Sequence, residues 1–156
     1  MDLLPLFQSF ETSTLGLIVR QSIWLFPVIQ CFHLLSLSLL GGAVLVLDMR
    51  LLGLGLQSQP HAELTRKVQP WLIGSLITII ITGILMFLSE AVKCYYSPPF
   101  WYKMGCLVAA ILFTFLVRRR LTVAASEKPI LLKLTALVSL SLWFGVAFSG
   151  RWIAFY

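Results

Sequence analysis

Residues 21–47 contain no charged side chain, and this stretch constrains the chain more than any other feature. Helix from Pro27 to Leu47 is about 31 Å long, which matches the hydrocarbon core of a bilayer. Proline is well placed in the first turn of a helix, where its missing N–H leaves no bond unmade. His33 is the one imidazole in the stretch. A polar ring at membrane depth is unfavourable unless it is paired or bound, so His33 marks a functional site by default.

The composition also excludes a water-soluble domain. Hydrophobic residues make up 59% of the chain and charged residues 12%, against about half and a quarter in soluble domains. The chain is therefore expected to lie in a lipid bilayer. The net charge of +6 does not indicate nucleic-acid binding, because basic residues of membrane proteins collect in the loops on one side. No nucleic-acid partner is predicted.

The pattern of uncharged segments predicts an all-α fold, an integral membrane four-helix bundle with a short N-terminal interfacial helix. We expect one membrane domain over residues 1–156, with an interfacial segment at 1–21 and spans at about 23–47, 71–89, 99–117 and 134–150. The third span is the most informative. The segment between Lys103 and Arg118 is only about 21 Å long as helix, too short to cross a bilayer core. This helix must begin near Pro99, so Lys103 lies about one turn inside it.

The distribution of basic residues predicts the orientation of the spans. The first and third connectors carry Arg50, Arg66, Lys67, Arg118, Arg119, Arg120, Lys128 and Lys133, whereas the other side carries Arg20, Lys93, Lys103 and Arg151. Cytoplasmic loops are the richer in lysine and arginine. Both termini are therefore expected on the non-cytoplasmic side.

This topology puts several polar residues toward the outer ends of the spans. They are Gln30, His33, Glu90, Lys103 and Arg151. If the bundle brings them together, they form a polar pocket just below the outer surface. Other roles remain open: the two cations as interface anchors, Glu90 as a solvated helix end, and His33 as a partner of a hydroxyl on another helix.

Cofactor chemistry can be narrowed by counting ligands. Zinc and copper sites need several histidine, cysteine or carboxylate ligands, and the membrane interior offers His33 with only remote support from cysteines. Haem needs one strong axial ligand, so His33 is a candidate ligand of haem b iron. A bis-histidine site would need a second intramembrane histidine. The sixth position is left open or is filled by Met86, Met104, Lys103 or another subunit.

Four segments, taken in order, resemble a family of small, uncharacterised bacterial inner-membrane proteins with a domain of unknown function. The segments are FPVIQCFHLLSLSLLGGAVLVLDMRLLGLGL, QPWLIGSLITIIITGILMF, YYSPPFWYKM and SLWFGVAFSGRWIAFY. The resemblance covers most of the chain. It implies a multi-pass protein of the bacterial inner membrane.

A more distant resemblance concerns two of the helices. His33, the Gly41–Gly42 pair and Arg50 look like the first helix of HemJ-type protoporphyrinogen IX oxidases, and CopD-like copper-resistance domains share a similar helix. The segment FWYKMGCLVAAILF looks like the tryptophan–lysine helix of the oxidases. The resemblance implies that His33 is a haem ligand and that Lys103 is the partner of a porphyrin propionate or substrate. The chain departs from the oxidase pattern by lacking a tryptophan soon after the first histidine and a later histidine after the lysine.

Two functions follow from these observations. One is a haem b- or porphyrin-associated membrane protein centred on His33, with Gln30, Lys103 and Arg151 as further binding residues. The other is a non-enzymatic accessory subunit that packs in a larger membrane complex or a homo-oligomer. Whether the chain is an enzyme stays open, although no nucleophile–base pair, phosphate loop or HExxH motif supports hydrolysis or phosphoryl transfer. Cys31, Cys94 and Cys106 are predicted to pack as small apolar residues.

Overall fold

The computed structural model describes residues 3–55, 58, 60–118, 120 and 129–155, all of whose regular structure is helical. The helices are α1 (Leu4–Glu11), α2 (Thr14–Gln21), α3 (Leu25–Leu52), α4 (His61–Ser89), α5 (Ala91–Tyr96), α6 (Pro98–Leu112) and α7 (Pro129–Trp152). A π-helical segment (Phe113–Arg118) continues α6, and a 3₁₀ turn (Ile153–Phe155) follows α7. The all-α prediction is confirmed.

Four of these helices are long and apolar enough to cross a membrane: Leu25–Leu52, Ala62–Ser89, Pro98–Arg118 and Pro129–Trp152. Their outward faces carry large apolar side chains such as Leu35, Ile81 and Phe144, all of them exposed. Contiguous apolar surface of this kind is rare on soluble monomers. The chain is therefore a multi-pass membrane protein whose exterior suits lipid.

The helices extend beyond the apolar segments that predict them. Helix α4 begins at His61 instead of near residue 71, because its first turns use polar residues, including an ion pair at 2.8 Å between Glu63 and Lys67. Helix α3 ends at Leu52, and the left-handed backbone of the next residue, Gly53 (φ 80°), lets N–H groups bond back to the last carbonyls. Hydropathy predicts which residues lie in the hydrocarbon core, whereas capping residues determine where the helix ends. The helix therefore extends beyond the apolar segment.

Helices α3 and α7 form the centre of the bundle. In the described chain, the extensive contacts between spanning helices are α3 with α4, α3 with α7, and α6 with α7. The core between them includes Leu40, Val44, Leu72, Trp143 and Val146, all of them buried. Because the spans alternate in direction, the first turn of α3 and the last turn of α7 share one end, named here the terminal end. The last turn of α3 and the first turn of α7 lie at the opposite end.

The N-terminal segment forms two short helices packed at the terminal end. Helix α2 contacts α4, and α1 contacts α5. The carboxylate of Glu11 accepts a hydrogen bond from the backbone N–H of Val92 at 2.8 Å and pairs with Arg20. Phe7 packs edge-on against Phe87, with ring centroids 5.5 Å apart. These contacts join the N-terminal segment to the corner between α4 and α5.

Candidate functional site

His33 is buried between α3 and α4, with 8% of its surface exposed. Its Nδ1 lies 2.8 Å from the Thr82 hydroxyl oxygen. That hydroxyl donates to the Thr78 carbonyl oxygen at 2.6 Å, so its one hydrogen is already committed. The hydroxyl can therefore only accept from His33, which must carry its proton on Nδ1. In the neutral form of the ring, Nε2 then holds the lone pair.

Gly83 provides the surface on which this imidazole lies. A Cβ built on Gly83 would stand 3.5 Å from His33 Cε1, at ordinary contact distance. Thr82 and Gly83 are consecutive residues, so one turn of α4 supplies both the hydrogen-bond partner and a close packing contact of His33. The imidazole is thus held at Nδ1 by a hydrogen bond and at Cε1 by packing. The sequence left open that His33 pairs with a hydroxyl on another helix, and the structure contains that hydrogen bond.

Lys103 lies in the same half of the bundle as His33. Its side chain is half-buried and crosses α7 at Gly150, where a built Cβ would stand 3.5 Å from Nζ. The ion pairs of the described residues do not include Lys103. The terminal half therefore holds the Lys103 side chain and the His33 imidazole.

The other predicted site residues are less closely associated with His33. Gln30 lies about one turn nearer the start of α3 and is half-buried. Arg151 and Glu90 are exposed. Glu90 lines a separate cavity of about 300 Å³ with Arg20 and neighbouring residues at the start of α3. Of the five residues, His33 is buried, Gln30 and Lys103 are half-buried, and Glu90 and Arg151 lie at the surface.

The residues that the structure describes hold no group of three or more histidine, cysteine or acidic side chains that could bind a metal ion. Cys31, Cys94 and Cys106 are free thiols. Burial, reinforced by Glu90, raises the pKa of Cys94 to about 11, so this residue stays a neutral thiol at physiological pH. A zinc or copper site with several protein ligands does not fit the described residues.

A second polar site, at the opposite end, was not anticipated from the sequence. Arg118 Nη2 lies 3.1 Å from Asp48 Oδ1, and the two residues are 5% and 0% exposed. The π-helical segment at the end of α6 includes Arg118, and the side chain reaches the bundle interior instead of the connector. The sequence signal for this site was Asp48 itself, since a carboxylate at the end of an uncharged span needs a cationic partner.

Two residues of α7 complete the surroundings of this pair. Ser139 is fully buried and lies beside the Asp48 carboxylate. Trp143 donates its indole N–H to the Thr114 hydroxyl at 3.2 Å, which joins α7 to the π-helical segment. π-Helical segments inside α-helices frequently occur at functional sites. The opposite half of the bundle therefore contains a built polar cluster of its own.

The two polar sites are separate. His33 and Asp48 are fifteen residues apart on α3, which corresponds to about 22 Å along the helix. Buried apolar residues, among them Leu40 and Val44, occupy the interval. No polar path joins the sites along α3.

Comparisons with known proteins identify one family. Its model, described as a family of unknown function (DUF6644), matches residues 6–156. No curated protein and no solved structure matches the chain. The distant resemblance to HemJ-type oxidases and CopD-like domains stays a prediction.

Proposed function

The chain belongs to the DUF6644 family, and we propose that this member binds haem b, or a related porphyrin, through His33 in the terminal half of its membrane bundle. The observation that carries the proposal is the hydrogen bond between His33 and Thr82. A histidine that ligates a metal almost always donates its other ring N–H to a fixed acceptor. Thr82 fills that role here and leaves Nε2 as the ligating nitrogen.

Lys103 provides the second support. A haem carries two propionates, and a cation without a carboxylate partner is the group that binds them. Lys103 packs against Gly150 in the same half of the bundle as His33. Lysine binds as a point charge with three rotatable donors, so it can accommodate a propionate in several orientations.

The number of histidine ligands also restricts the reactions that a bound haem could support. His33 would supply one ligand to the iron of a bound haem. Bound haem b would supply a one-electron couple at its iron. The residues of the chain would fix the orientation of the imidazole, hold the propionates and keep water from the buried ring.

The test is an absorption spectrum of detergent-purified protein from haem-replete cells. We expect a Soret band in the wild type and its loss in His33→Ala, because no other described residue offers an equivalent ligand beside Thr82. His61→Ala is the matched control, since it removes the other histidine of the chain, and should keep the band. A colourless wild type, or a full band in His33→Ala, contradicts the proposal.

Two further variants separate ligation from orientation. Thr82→Val removes the acceptor of the Nδ1–H with little change in volume, so we expect haem to remain bound with a shifted reduction potential. Lys103→Gln should weaken haem retention and leave the position of the Soret band unchanged. If both variants match the wild type in potential and retention, neither residue belongs to the site.

A second candidate function, an accessory subunit in a larger membrane complex, is favoured by a groove between α3 and α7. The groove has a volume of about 460 Å³ and an apolar lining that includes Gly41, Leu45 and Phe144. Grooves lined by small residues let a further helix approach closely in lipid. Co-purification in mild detergent supports this function, and a stable, monodisperse free monomer counts against it.

We further propose that the protein lies in the inner membrane of a bacterial cell with both termini on the non-cytoplasmic side. The connectors at the opposite end hold most of the lysines and arginines, and this excess remains after the buried, paired Arg118 is left out. Several of these basic residues, including Arg119 and Lys128, lie outside the described residues.

Fusions to reporter enzymes test the orientation. Alkaline phosphatase at the C-terminus should be active, and green fluorescent protein at the same position should be dark. Fusions truncated in the connector after α3 should show the reverse. A fluorescent C-terminal fusion with inactive phosphatase would invert the proposed topology.

A further inference from the structure

A cavity with charged walls lies at the terminal end, where α2, α3 and α4 meet. It has a volume of about 300 Å³, which is at the lower end of the range for small-molecule sites. Its lining includes Arg20 in the last turn of α2, Ser22 and Ile23 in the link to α3, and Glu90 directly after α4. One cation and one carboxylate therefore share this cavity.

Arg20 keeps donors that the protein does not use. Its Nη1 pairs with the Glu11 carboxylate, whose other oxygen accepts the Val92 N–H at 2.8 Å. In the described part of the chain, Nη1 is the nitrogen of Arg20 that has a protein partner. A guanidinium has five N–H donors in a rigid fork that matches phosphate oxygens. The pair with Glu11 thus positions the guanidinium, and its other donors are available to an anion.

Ser22 supplies a hydroxyl donor close to Arg20 in the chain. Its oxygen accepts the Leu25 N–H at 3.2 Å, which leaves the hydroxyl hydrogen to donate elsewhere. Among the described residues, no acceptor takes that hydrogen. Because Ser22 lines the same cavity as Arg20, the two side chains can donate to one anionic group.

Glu90 provides the opposite charge. Its side chain is exposed, and the ion pairs of the described residues do not include it. Arg20 and Glu90 therefore line one cavity without pairing with each other. A ligand that carries both a negative and a positive group complements the two side chains.

The position of the cavity indicates an amphipathic ligand. The spanning helices begin at Leu25 and end at Ser89 on this side, so the cavity lies at the depth of the lipid headgroups. Ile23 in its lining and the adjacent Trp24 are 85% and 79% exposed. Exposed apolar and tryptophan side chains at this depth suit contact with lipid. The occupant is thus expected to have a charged head and an apolar tail.

We propose that this cavity binds the headgroup of phosphatidylethanolamine, with the phosphate on Arg20 and Ser22 and the primary ammonium on Glu90. A primary ammonium has three N–H donors for a carboxylate. A choline headgroup has no N–H donor, and a glycerol headgroup has no positive charge. The site uses none of the residues proposed for haem, so it is independent of haem binding.

Native mass spectrometry of the detergent-purified protein tests the site. Phosphatidylethanolamine and phosphatidylcholine with identical acyl chains are added at equal concentration. We expect about fivefold greater retention of phosphatidylethanolamine, the ratio that one exposed ion pair provides. Equal retention would overturn the proposal. Free phosphoethanolamine at the same concentration should not displace the lipid, and displacement would assign the cavity to a soluble ligand instead.

Glu90→Gln isolates the role of the carboxylate. The substitution keeps the side-chain volume and removes the charge, so the preference for phosphatidylethanolamine over phosphatidylcholine should disappear. Glu63→Gln is the matched control, since Glu63 pairs with Lys67 at the opposite end, and it should keep the preference. A preference that persists in Glu90→Gln arises elsewhere on the protein and refutes the site.

Arg20→Gln tests the phosphate contact. Both lipids carry a phosphate, so this variant should retain less of each. Lys93→Gln is its control, because Lys93 is an exposed cation of α5 outside the cavity lining, and it should retain both lipids as the wild type does. Unchanged retention in Arg20→Gln contradicts the proposed phosphate contact. If loss of the Glu11 pair loosens the N-terminal helices, Glu90→Gln still decides the proposal.

Discussion

Asp48→Asn is expected to destabilise the protein by about 3 kcal/mol, because it leaves the Arg118 guanidinium buried without a counter-charge. The substitution keeps the side-chain volume, so a loss of stability reports the charge and not a cavity. Both residues are almost completely inaccessible, and removal of one partner from such a pair is strongly unfavourable. Thermal unfolding in detergent, followed by circular dichroism, measures the effect.

The double variant Asp48→Leu with Arg118→Met tests whether the instability of Asp48→Asn comes from the unpaired charge of Arg118. Replacement of both buried charges by apolar residues is often neutral or stabilising, so the double variant should be far more stable than Asp48→Asn. Glu63→Ala is the control, since its ion pair with Lys67 is exposed and is worth less than about 1 kcal/mol. If Asp48→Asn and Glu63→Ala unfold alike, Arg118 finds solvent or another partner.

Gly16→Ala should separate the N-terminal helices from the bundle and lower stability by about 2 kcal/mol. A Cβ at this position would stand 2.5 Å from the backbone carbonyl oxygen of Leu88 and 3.0 Å from that of Glu11. Backbone atoms at a helix end cannot move aside as a flexible side chain can, so α2 itself has to shift. We expect a lower melting temperature and faster proteolysis between α2 and α3.

Gly41→Ala provides the matched substitution in open space. A Cβ on Gly41 meets no atom within 4 Å, and alanine is better than glycine in a helix by up to about 1 kcal/mol. The two glycine variants should therefore change stability in opposite directions. Equal effects would show that helix propensity, and not the approach of α2 to α4, decides the outcome at Gly16.

The fold could be predicted from the sequence because the thickness of a bilayer fixes the length of a spanning helix. A stretch without charge and about 30 Å long as helix has few alternatives to spanning a membrane. The burial of His33 followed from the same argument, since a lone imidazole at that depth has to find a partner. Its partner Thr82 was not predictable, because the register of α3 against α4 depends on side-chain packing over the whole interface.

The Asp48–Arg118 pair escaped prediction for a different reason. Three consecutive arginines after an apolar segment usually mark the end of a span, and Arg118 is the first of them. A local change from α to π geometry rotates the residues that follow relative to an ideal helix. Hydropathy carries no information on that change, so the inward position of Arg118 is a property of backbone geometry. Lys103 on Gly150 likewise depends on the packing of α6 with α7.

The contacts among the spans divide the bundle into two helical hairpins, α3 with α4 and α6 with α7, joined mainly where α3 meets α7. His33 and Asp48 belong to the first hairpin, whereas Lys103 and Arg118 belong to the second. Each polar site thus takes its cation from one hairpin and its partner from the other. A slide of one hairpin along the other would therefore change the geometry of both polar sites together.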